Sequence, residues 1–309
     1  MKRILFFMVY FFIAESVFGQ IAHYNQFPAM QPQHILDDHL TNISFAFSMR
    51  VLNSDYEGYL VRLRKQNGQN PGNGDEEKDF GWSENDIVDV VAIDAWRKKK
   101  DVYVVTWYDQ SGEGNNATQT DEDRQPQFYS DATIPYFQGD GTNNTGDFLE
   151  VVTSNGIQSV TNNGNEGSVL GVMKATKRAQ HSFGVLRGSN RWSTHINWSD
   201  NNLYFDPGIC CNNVRSFENS SNVNVWQQYT FIKTNSNAIA RAGGDEKFNG
   251  LHTTGRCTRT ENFAIGWATG TGWNKYATTS FSELIMYKMD ISADEYLEIE
   301  EDAITFWNL

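Results

Sequence analysis

Aromatic, carboxylate, amide and cationic side chains are concentrated between positions 192 and 215, and this mixture suits the binding of sugars. Aromatic rings stack on the C–H faces of sugars, while Asp, Asn, His and Arg side chains hydrogen-bond with the hydroxyls. The candidate binding residues are Trp192, His195, Trp198, Asp200, Tyr204, Asp206 and Arg215, together with Trp267 and Trp273 farther along the chain. The alternative is that Trp198 and Tyr204 are core aromatic residues and that Asp206 caps a turn.

Side-chain alternation predicts how this segment faces its surroundings. A strand over 194–198 would place Trp198 on one face and His195 on the other, because successive side chains of a strand point to opposite sides. In the next strand, Tyr204 and Asp206 would share a face. The sequence therefore predicts a hairpin with a polar, partly aromatic surface.

Adjacent cysteines follow the second strand of this hairpin. Cys210 and Cys211 are neighbours, and Cys257 is the only other cysteine of the chain. In an exported protein two pairings are open. Either Cys210 and Cys211 form a vicinal disulfide and leave Cys257 free, or Cys257 is joined to one of the pair.

The sequence does not single out a catalytic pair of carboxylates. A retaining glycosidase needs two carboxyl groups about 5 Å apart, and many acidic residues are available. Glu283 lies within a predicted strand, where it could act as such a group or be a structural Glu paired with an Arg. No Gly-x-Ser-x-Gly, His-Glu-x-x-His or Gly-Lys-Ser/Thr phosphate motif is present, and no required cofactor is indicated.

Eleven short strands are predicted, separated by turn residues, and this pattern is typical of an all-β sandwich. Their ranges are 43–51, 59–64, 102–107, 148–152, 169–175, 182–187, 194–198, 202–206, 227–233, 262–267 and 281–287. Two peripheral helices are also predicted. One spans about 83–99, beginning at Ser83 with Asp86 three residues on; the other spans about 292–307, beginning at Ser292 with Glu295 as its capping partner.

The N-terminus has the composition of a secretory signal peptide over residues 1–19, with Lys2 and Arg3 before an apolar run. We expect an extended segment over 20–40, one β-sandwich domain over 41–309, and a secreted, periplasmic or cell-surface location without membrane insertion. The formal net charge is −13. Such a charge repels nucleic acid, so a neutral partner or a cation is expected.

Several segments resemble known protein families. Residues 108–119, Tyr-Asp-Gln-Ser-Gly-Glu-Gly-Asn-Asn-Ala-Thr-Gln, resemble the catalytic domain of α-L-arabinofuranosidase B, as do Phe45–Leu52 and Tyr56–Arg64. Together these matches cover about 41–130. Residues 136–151, 281–287 and the hairpin 192–215 look like laminin G-like domains. The resemblance implies a concanavalin A-like jelly roll of two antiparallel sheets, with the ligand on a concave face or its adjoining loops.

The resemblance also implies specific site residues. Arabinofuranosidase B-type domains carry a vicinal disulfide at the sugar pocket, which assigns that bond to Cys210 and Cys211. Laminin G-like sandwiches often hold a structural calcium ion, for which Asp140 and Asp147 are candidate ligands. The family's acid/base Asp has no counterpart, because the comparable stretch 265–272 contains no Asp or Glu. The family's Asp-Leu-Glu-Asn-Gly nucleophile context is not found either.

We therefore predict a secreted, lectin-like domain that binds a glycan or polysaccharide through the hairpin 192–215 and the tryptophans 267 and 273, without catalysis. One alternative is a glycoside hydrolase of the arabinofuranosidase-like type. A second is a structural or adhesive surface or fibre protein. The sequence leaves the glycan and the oligomeric state open.

Overall fold

Eighteen strands are the main regular structure in the part of the chain that the computed structural model describes, namely residues 34–68, 75–177, 179–211, 214–252, 255–270 and 275–309. All pairings between these strands are antiparallel. The strands are β1 (Ile43–Ser48), β2 (Val61–Lys65), β3 (Glu76–Phe80), β4 (Val102–Trp107), β5 (Ala117–Thr118), β6 (Gln127–Tyr129), β7 (Tyr136–Gln138), β8 (Leu149–Val151), β9 (Gly167–Lys174), β10 (Phe183–Arg187), β11 (Asn190–His195), β12 (Asn202–Ile209), β13 (Ser216–Glu218), β14 (Gln227–Lys233), β15 (Asn237–Ala242), β16 (Asp245–Leu251), β17 (Phe263–Ile265) and β18 (Ser280–Tyr287).

Two series of paired strands make the two layers of a sandwich. The first layer runs β6–β7–β18–β9–β14–β15–β16, with β1 also paired to β18. The second layer runs β5–β8–β17–β10–β11–β12–β13. Strand β4 pairs with β6 of the first layer and with β5 of the second. The predicted all-β sandwich is confirmed.

Aromatic side chains fill the space between the layers. Phe231 of β14 lies 5.7 Å from Phe183 of β10 and 5.3 Å from Phe205 of β12, measured between ring centroids. Phe45 of β1 lies 5.4 Å from Phe263 of β17. All five rings are fully buried. The alternate residues of these strands therefore face outward, and the outer faces of the two layers point to opposite sides of the molecule.

The first helix differs from its prediction. Helix α1 spans Val90–Arg97, and its N-cap is Asp89, which accepts a hydrogen bond from the Ala92 amide. Residues 83–88 form a turn and bridges instead, because Asp86 has a positive φ of 59° that no α-helix can contain. Val91 in the first turn of the helix is 76% exposed. A short helix, α2, spans Ile157–Val160.

The C-terminal helix agrees with its prediction. Helix α3 spans Ala293–Trp307, and Ser292 and Glu295 form the expected capping box. Ile299, Ala303 and Trp307 are buried along one stripe, and the helix packs on β14 and β9 of the first layer. Three short 3₁₀ helices cover Ile35–Asp37, Glu122–Arg124 and Ser220–Asn222.

His34–Leu309 forms one compact unit. The described end of the segment predicted as extended contains the Ile35–Asp37 turn, with Leu36 fully buried. The signal peptide prediction and residues 20–33 lie outside the described residues. No helix among the described residues has both the length and the apolar character needed to cross a membrane.

Candidate functional site: the disulfide pocket

The hairpin of β11 and β12 carries the candidate site on the outer face of the second layer. Trp192 faces inward, where it is fully buried and packs edge-to-face against Phe205 at 6.0 Å. Arg191 and His195 differ from Trp192 by an odd number of positions and therefore point outward. Trp192 is thus a core residue, and the prediction that it binds sugar is wrong because its ring has no exposed surface.

A cavity of about 690 Å³ opens on this outer face. We call it the disulfide pocket. Its lining residues are His181, Leu186, Gly188, Arg191, His195, Trp198, Ser199, Asp200, Tyr204, Cys211 and Arg215. The structure therefore brings together His195, Trp198, Asp200, Tyr204, Cys211 and Arg215 of the predicted set.

A buried carboxylate organises the cationic side of this pocket. Asp206 is fully buried, and its oxygens lie 3.4 Å from Nη1 of Arg191 and 3.3 Å from Nε of Arg215. Burial raises the pKa of Asp206, and the two guanidinium groups oppose that rise. Arg215 also lies over the Tyr204 ring at 4.5 Å, as expected from the shared face of Tyr204 and Asp206. The carboxylate thus holds two cationic donors at the pocket wall.

The vicinal disulfide is present. Cys210 and Cys211 are bonded to each other, and Cys257 is free and buried. Nη1 of Arg215 donates to Sγ of Cys210 at 3.2 Å. Asp206 and the two sulfur atoms are the one group of three or more potential metal ligands found together among the described residues. Because the sulfurs are joined, they are not the thiolates that bind soft metals.

Two histidines and a tryptophan also line the pocket. The ring centroid of His195 lies 4.4 Å from that of His181 and 4.7 Å from that of Trp198. Burial, with the positive charges of Arg191 and Lys275, lowers the pKa of His181 to about 3. Burial also lowers the pKa of His195 well below its usual value. Both imidazoles are therefore neutral at physiological pH.

The position of Trp198 differs from the strand prediction. Strand β11 ends at His195, and Asn197 has a positive φ of 69°, so the chain turns before Trp198. Strict alternation stops at that turn, and Trp198 lies beside His195 instead of on the opposite face. Asn residues tolerate this left-handed conformation better than most others, which is the local signal for the turn.

Asp200 is the one carboxylate among the described residues that line the pocket. Its Oδ2 accepts a hydrogen bond from the Tyr204 hydroxyl, and its Oδ1 accepts one from the Asn202 amide. Burial alone would raise the pKa of Asp200, but these hydrogen bonds hold it below its usual value. Asp200 is therefore ionised at neutral pH and orients the Tyr204 ring.

A second carboxylate lies on the same face at the neighbouring strand. In the pairing of β12 with β13, Tyr204 is opposite Ser216 and Asn202 is opposite Glu218. Directly opposite residues of antiparallel strands point to one face. Glu218 therefore shares the outward face of Tyr204. Its hydrogen bonds with Ser220 lower its pKa.

Sequence reasoning missed several pocket residues. Arg191 could have been found by extending the alternation of His195 back to the start of β11. His181 and Leu186 lie on or before β10, and they reach the pocket because β10 pairs with β11. No local pattern identifies them. Glu218 has no local signal either, since its three-residue strand is too short to show a period.

Other predicted residues lie elsewhere. Trp267 packs on Tyr276 and Phe148, with ring centroids 4.9 and 5.2 Å away, and it does not line the disulfide pocket. Trp273 lies outside the described residues. Asp147 accepts a hydrogen bond from the Asp140 amide at 3.0 Å, so the two candidate calcium ligands are neighbours. The calcium ion stays a prediction.

Glu283 is a structural residue paired with an Arg, which is one of the two roles predicted for it. Its side chain is nearly fully buried and accepts hydrogen bonds from Nε of Arg50 at 2.7 Å and from Nη2 of Arg50 at 3.2 Å. Arg50 also pairs with Asp302 of helix α3 at 2.5 Å. This network connects β18 to the C-terminal helix and is separate from the disulfide pocket.

Comparison with solved structures finds arabinofuranosidases. An arabinofuranosidase complexed with arabinofuranosyl-α-1,2-xylobiose has a TM-score of 0.62 at 15% identity, covering 88% of this chain and 64% of that one. A GH54 α-L-arabinofuranosidase mutant soaked with 4-nitrophenyl α-L-arabinofuranoside has a TM-score of 0.64 at 16% identity, with the same coverage. No protein-family model and no curated protein matches the sequence.

These comparisons define the class of fold. The chain has the β-sandwich fold of the arabinofuranosidase structures and spans 64% of their length. Identities of 15–16% show likeness of fold alone. The resemblance of residues 41–130 to arabinofuranosidase is thus matched by a common architecture, while the wider concanavalin A-like assignment stays a prediction.

Proposed function

We propose that this protein is a glycoside hydrolase of the arabinofuranosidase-like type and that the disulfide pocket binds a sugar of an arabinose-containing glycan. The observation that carries the proposal is the vicinal disulfide of Cys210 and Cys211 at the pocket. A Cys-Cys pair at the sugar pocket is what the sequence resemblance implied for this position. The likeness of fold to arabinofuranosidases supports the same conclusion.

The pocket is chemically suited to one sugar unit. Its volume of about 690 Å³ falls within the usual range for small-molecule sites. Trp198 and Tyr204 offer ring surfaces for stacking, and Arg191 and Arg215 offer donors for hydroxyl groups. Both ring nitrogens of His181 and Nδ1 of His195 are buried without a hydrogen-bond partner in the described protein. Sugar hydroxyls would satisfy these groups.

Hydrolysis would require two carboxyl groups at the scissile bond. We assign Asp200, which lines the pocket, and Glu218, which shares the outward face of Tyr204. Both carboxylates have lowered pKa values, so they suit the roles of nucleophile or base. Protonation of the leaving group would need one pKa to rise when substrate excludes water.

The lowered pKa values also favour a second candidate, which is sugar binding without hydrolysis. Neither carboxylate is protonated at neutral pH, whereas a general acid must carry a proton. The stretch 265–272, where the resemblance would place an acid/base Asp, contains no carboxylate. In this case the pocket would hold the sugar by the same aromatic and cationic residues.

Release of 4-nitrophenol from 4-nitrophenyl α-L-arabinofuranoside distinguishes the two candidates. We expect turnover by the full chain and a loss of about a hundredfold or more in Asp200→Asn and Glu218→Gln. Glu246→Gln, which changes an exposed carboxylate of β16, should keep wild-type turnover.

Absence of turnover with retained binding on a glycan array, weakened by Tyr204→Ala, would favour the binding candidate. A folded protein with neither turnover nor glycan binding would contradict both candidates and favour a structural or adhesive role.

A further inference from the structure

A second cavity lies on the outer face of the first layer, on the other side of the sandwich from the disulfide pocket. Its volume is about 480 Å³. The side chains that matter here are Tyr103, Gln127, Tyr129, Gln138, Asp140 and Asp147. We call this surface the β6–β7 groove. The groove shares no lining residue with the disulfide pocket.

Strand register aligns polar residues of five strands on the face that carries the groove. Tyr103 of β4 is opposite Gln127 of β6, and Gln127 is opposite Gln138 of β7. Gln138 is in turn opposite Ser280 of β18, and Ser280 is opposite Lys174 of β9. Because opposite residues share a face and strands lie about 4.8 Å apart, this polar row extends for about 19 Å.

A second row beside it is aromatic. Tyr129 and Tyr136 are directly opposite each other, and their rings stack at 4.8 Å with an interplanar angle of 12°. The Trp226 ring lies edge-on to Tyr136 at 5.4 Å. Nζ of Lys174 lies 4.7 Å from the ring centroids of both Tyr136 and Trp226.

Core packing explains why these polar and aromatic residues face outward. Phe128 and Phe137 alternate with them in β6 and β7, and each of these phenylalanines is 1% exposed. The opposite faces of the two strands therefore carry the amides and the tyrosines. Tyr129, Tyr136 and Trp226 are all partly exposed. A stacked aromatic row beside a row of amides is the combination that binds sugar rings and their hydroxyls.

The negative charge of the groove favours neutral polysaccharides over anionic ones. Glu122, Asp123 and Asp140 line it together with Asp147, whose pKa is raised to about 7 by burial and by the charge of Asp140. The cations are Lys177 among the lining residues and Lys174 at the end of the polar row. An excess of carboxylates repels a uronate-bearing chain and leaves a neutral chain unaffected. We propose that the β6–β7 groove binds a neutral polysaccharide chain, as a site separate from the disulfide pocket and independent of the function proposed for that pocket.

Affinity electrophoresis of the full chain tests this proposal, with soluble glucomannan or hydroxyethyl cellulose, two neutral chains without arabinose, in the gel and polygalacturonate as the anionic comparison. We expect the neutral polysaccharides to retard the wild type and polygalacturonate not to. Tyr129→Ala and Tyr136→Ala should each weaken the retention constant by about tenfold, because each removes a stacking ring. Tyr59→Ala removes a tyrosine that is 53% exposed and lines neither cavity, so it should keep wild-type retention.

The two sites give separable results. Tyr204→Ala, in the disulfide pocket, should keep retention by neutral polysaccharides even if it abolishes turnover of the aryl arabinofuranoside. The proposal is overturned if neutral polysaccharides retard both Tyr129→Ala and Tyr136→Ala as strongly as the folded wild type. It is also overturned if Tyr204→Ala is the one variant that loses retention, or if no neutral polysaccharide retards the wild type. Retention by neutral polysaccharides without any hydrolytic activity would support the groove as a binding site and would contradict only the hydrolase function proposed for the disulfide pocket.

Discussion

Asp206 and Arg215 form an ion pair beneath the disulfide pocket, with 3.3 Å between Oδ1 of the fully buried carboxylate and Nε of the guanidinium. The same carboxylate lies 3.4 Å from Arg191. One buried negative charge thus positions two cationic side chains at the pocket wall. The side chains of Arg191 and Arg215 are 16% and 17% exposed, so each also reaches the pocket surface.

Asp206→Asn should lower the free energy of unfolding by about 1 to 3 kcal/mol, because it leaves two partly buried guanidinium groups without a counter-charge. Urea unfolding measures the change. Asp245→Asn is the matched control, since Asp245 pairs with Lys247 at 3.2 Å but is 79% exposed. Exposed pairs contribute little, and we expect a change below about 0.5 kcal/mol. Equal losses in the two variants would contradict the structural role of Asp206.

Trp198→Ala and Tyr204→Ala should each weaken binding of an arabinose-containing oligosaccharide by about 1 to 3 kcal/mol without unfolding the domain. Both rings line the disulfide pocket, and Tyr204 also supports Arg215. Isothermal titration measures the affinity, and circular dichroism checks the fold. Tyr59→Ala serves as the control. Unchanged affinity in both pocket variants would remove these residues from the site.

Cys257 should be unreactive in the native protein. Its side chain is fully buried, and burial raises the pKa of the thiol to about 11. Because the thiolate is the reactive form, iodoacetamide should modify Cys257 only after denaturation. Mass spectrometry of a non-reduced proteolytic digest should find Cys210 joined to Cys211. A peptide with Cys257 joined to either of them would contradict the vicinal disulfide.

Stability should fall as the pH is lowered from 7 to 5, partly because of His181. The pKa of His181 is about 3 in the folded state and about 6.5 in the unfolded chain. Between these two pH values His181 is protonated in the unfolded chain and neutral in the folded protein, which favours unfolding. At pH 5 this difference in protonation lowers the free energy of unfolding by about 2 kcal/mol. His181→Phe should reduce the loss between pH 7.5 and 5 by about that amount in urea titrations. An identical loss in wild type and variant would show that His181 is not buried in its neutral form.

Glu283→Gln should lower the free energy of unfolding by about 3 kcal/mol, because it breaks a pair in which Arg50 is 3% and Glu283 2% exposed. Since Glu283 does not line the disulfide pocket, we expect turnover and sugar affinity to match the wild type at temperatures where the variant is folded. Loss of turnover with unchanged stability would restore Glu283 as a catalytic candidate.

Local patterns predicted many elements of the fold. The strands Val102–Trp107 and Gln227–Lys233 have the predicted bounds, and helix α3 begins at the predicted capping box. Propensity, alternation and capping depend on neighbours in sequence, so they can be recognised without tertiary structure. Strands β3 and β16 were missed because Glu76–Phe80 and Asp245–Leu251 are charged and mostly exposed. Such strands form because a paired neighbour supplies their hydrogen bonds.

The sequence by itself determined which residue types concentrate in the hairpin 192–215, and six of those lie together in the disulfide pocket. Only the tertiary structure decided that Trp192 belongs to the core, that His181 packs on His195, and that Glu218 faces the same side as Tyr204. It likewise decided that Gln127 and Gln138 form one row with Ser280. The physical reason is that alternation gives two faces to every strand, whereas the pairing of distant strands decides what each face meets.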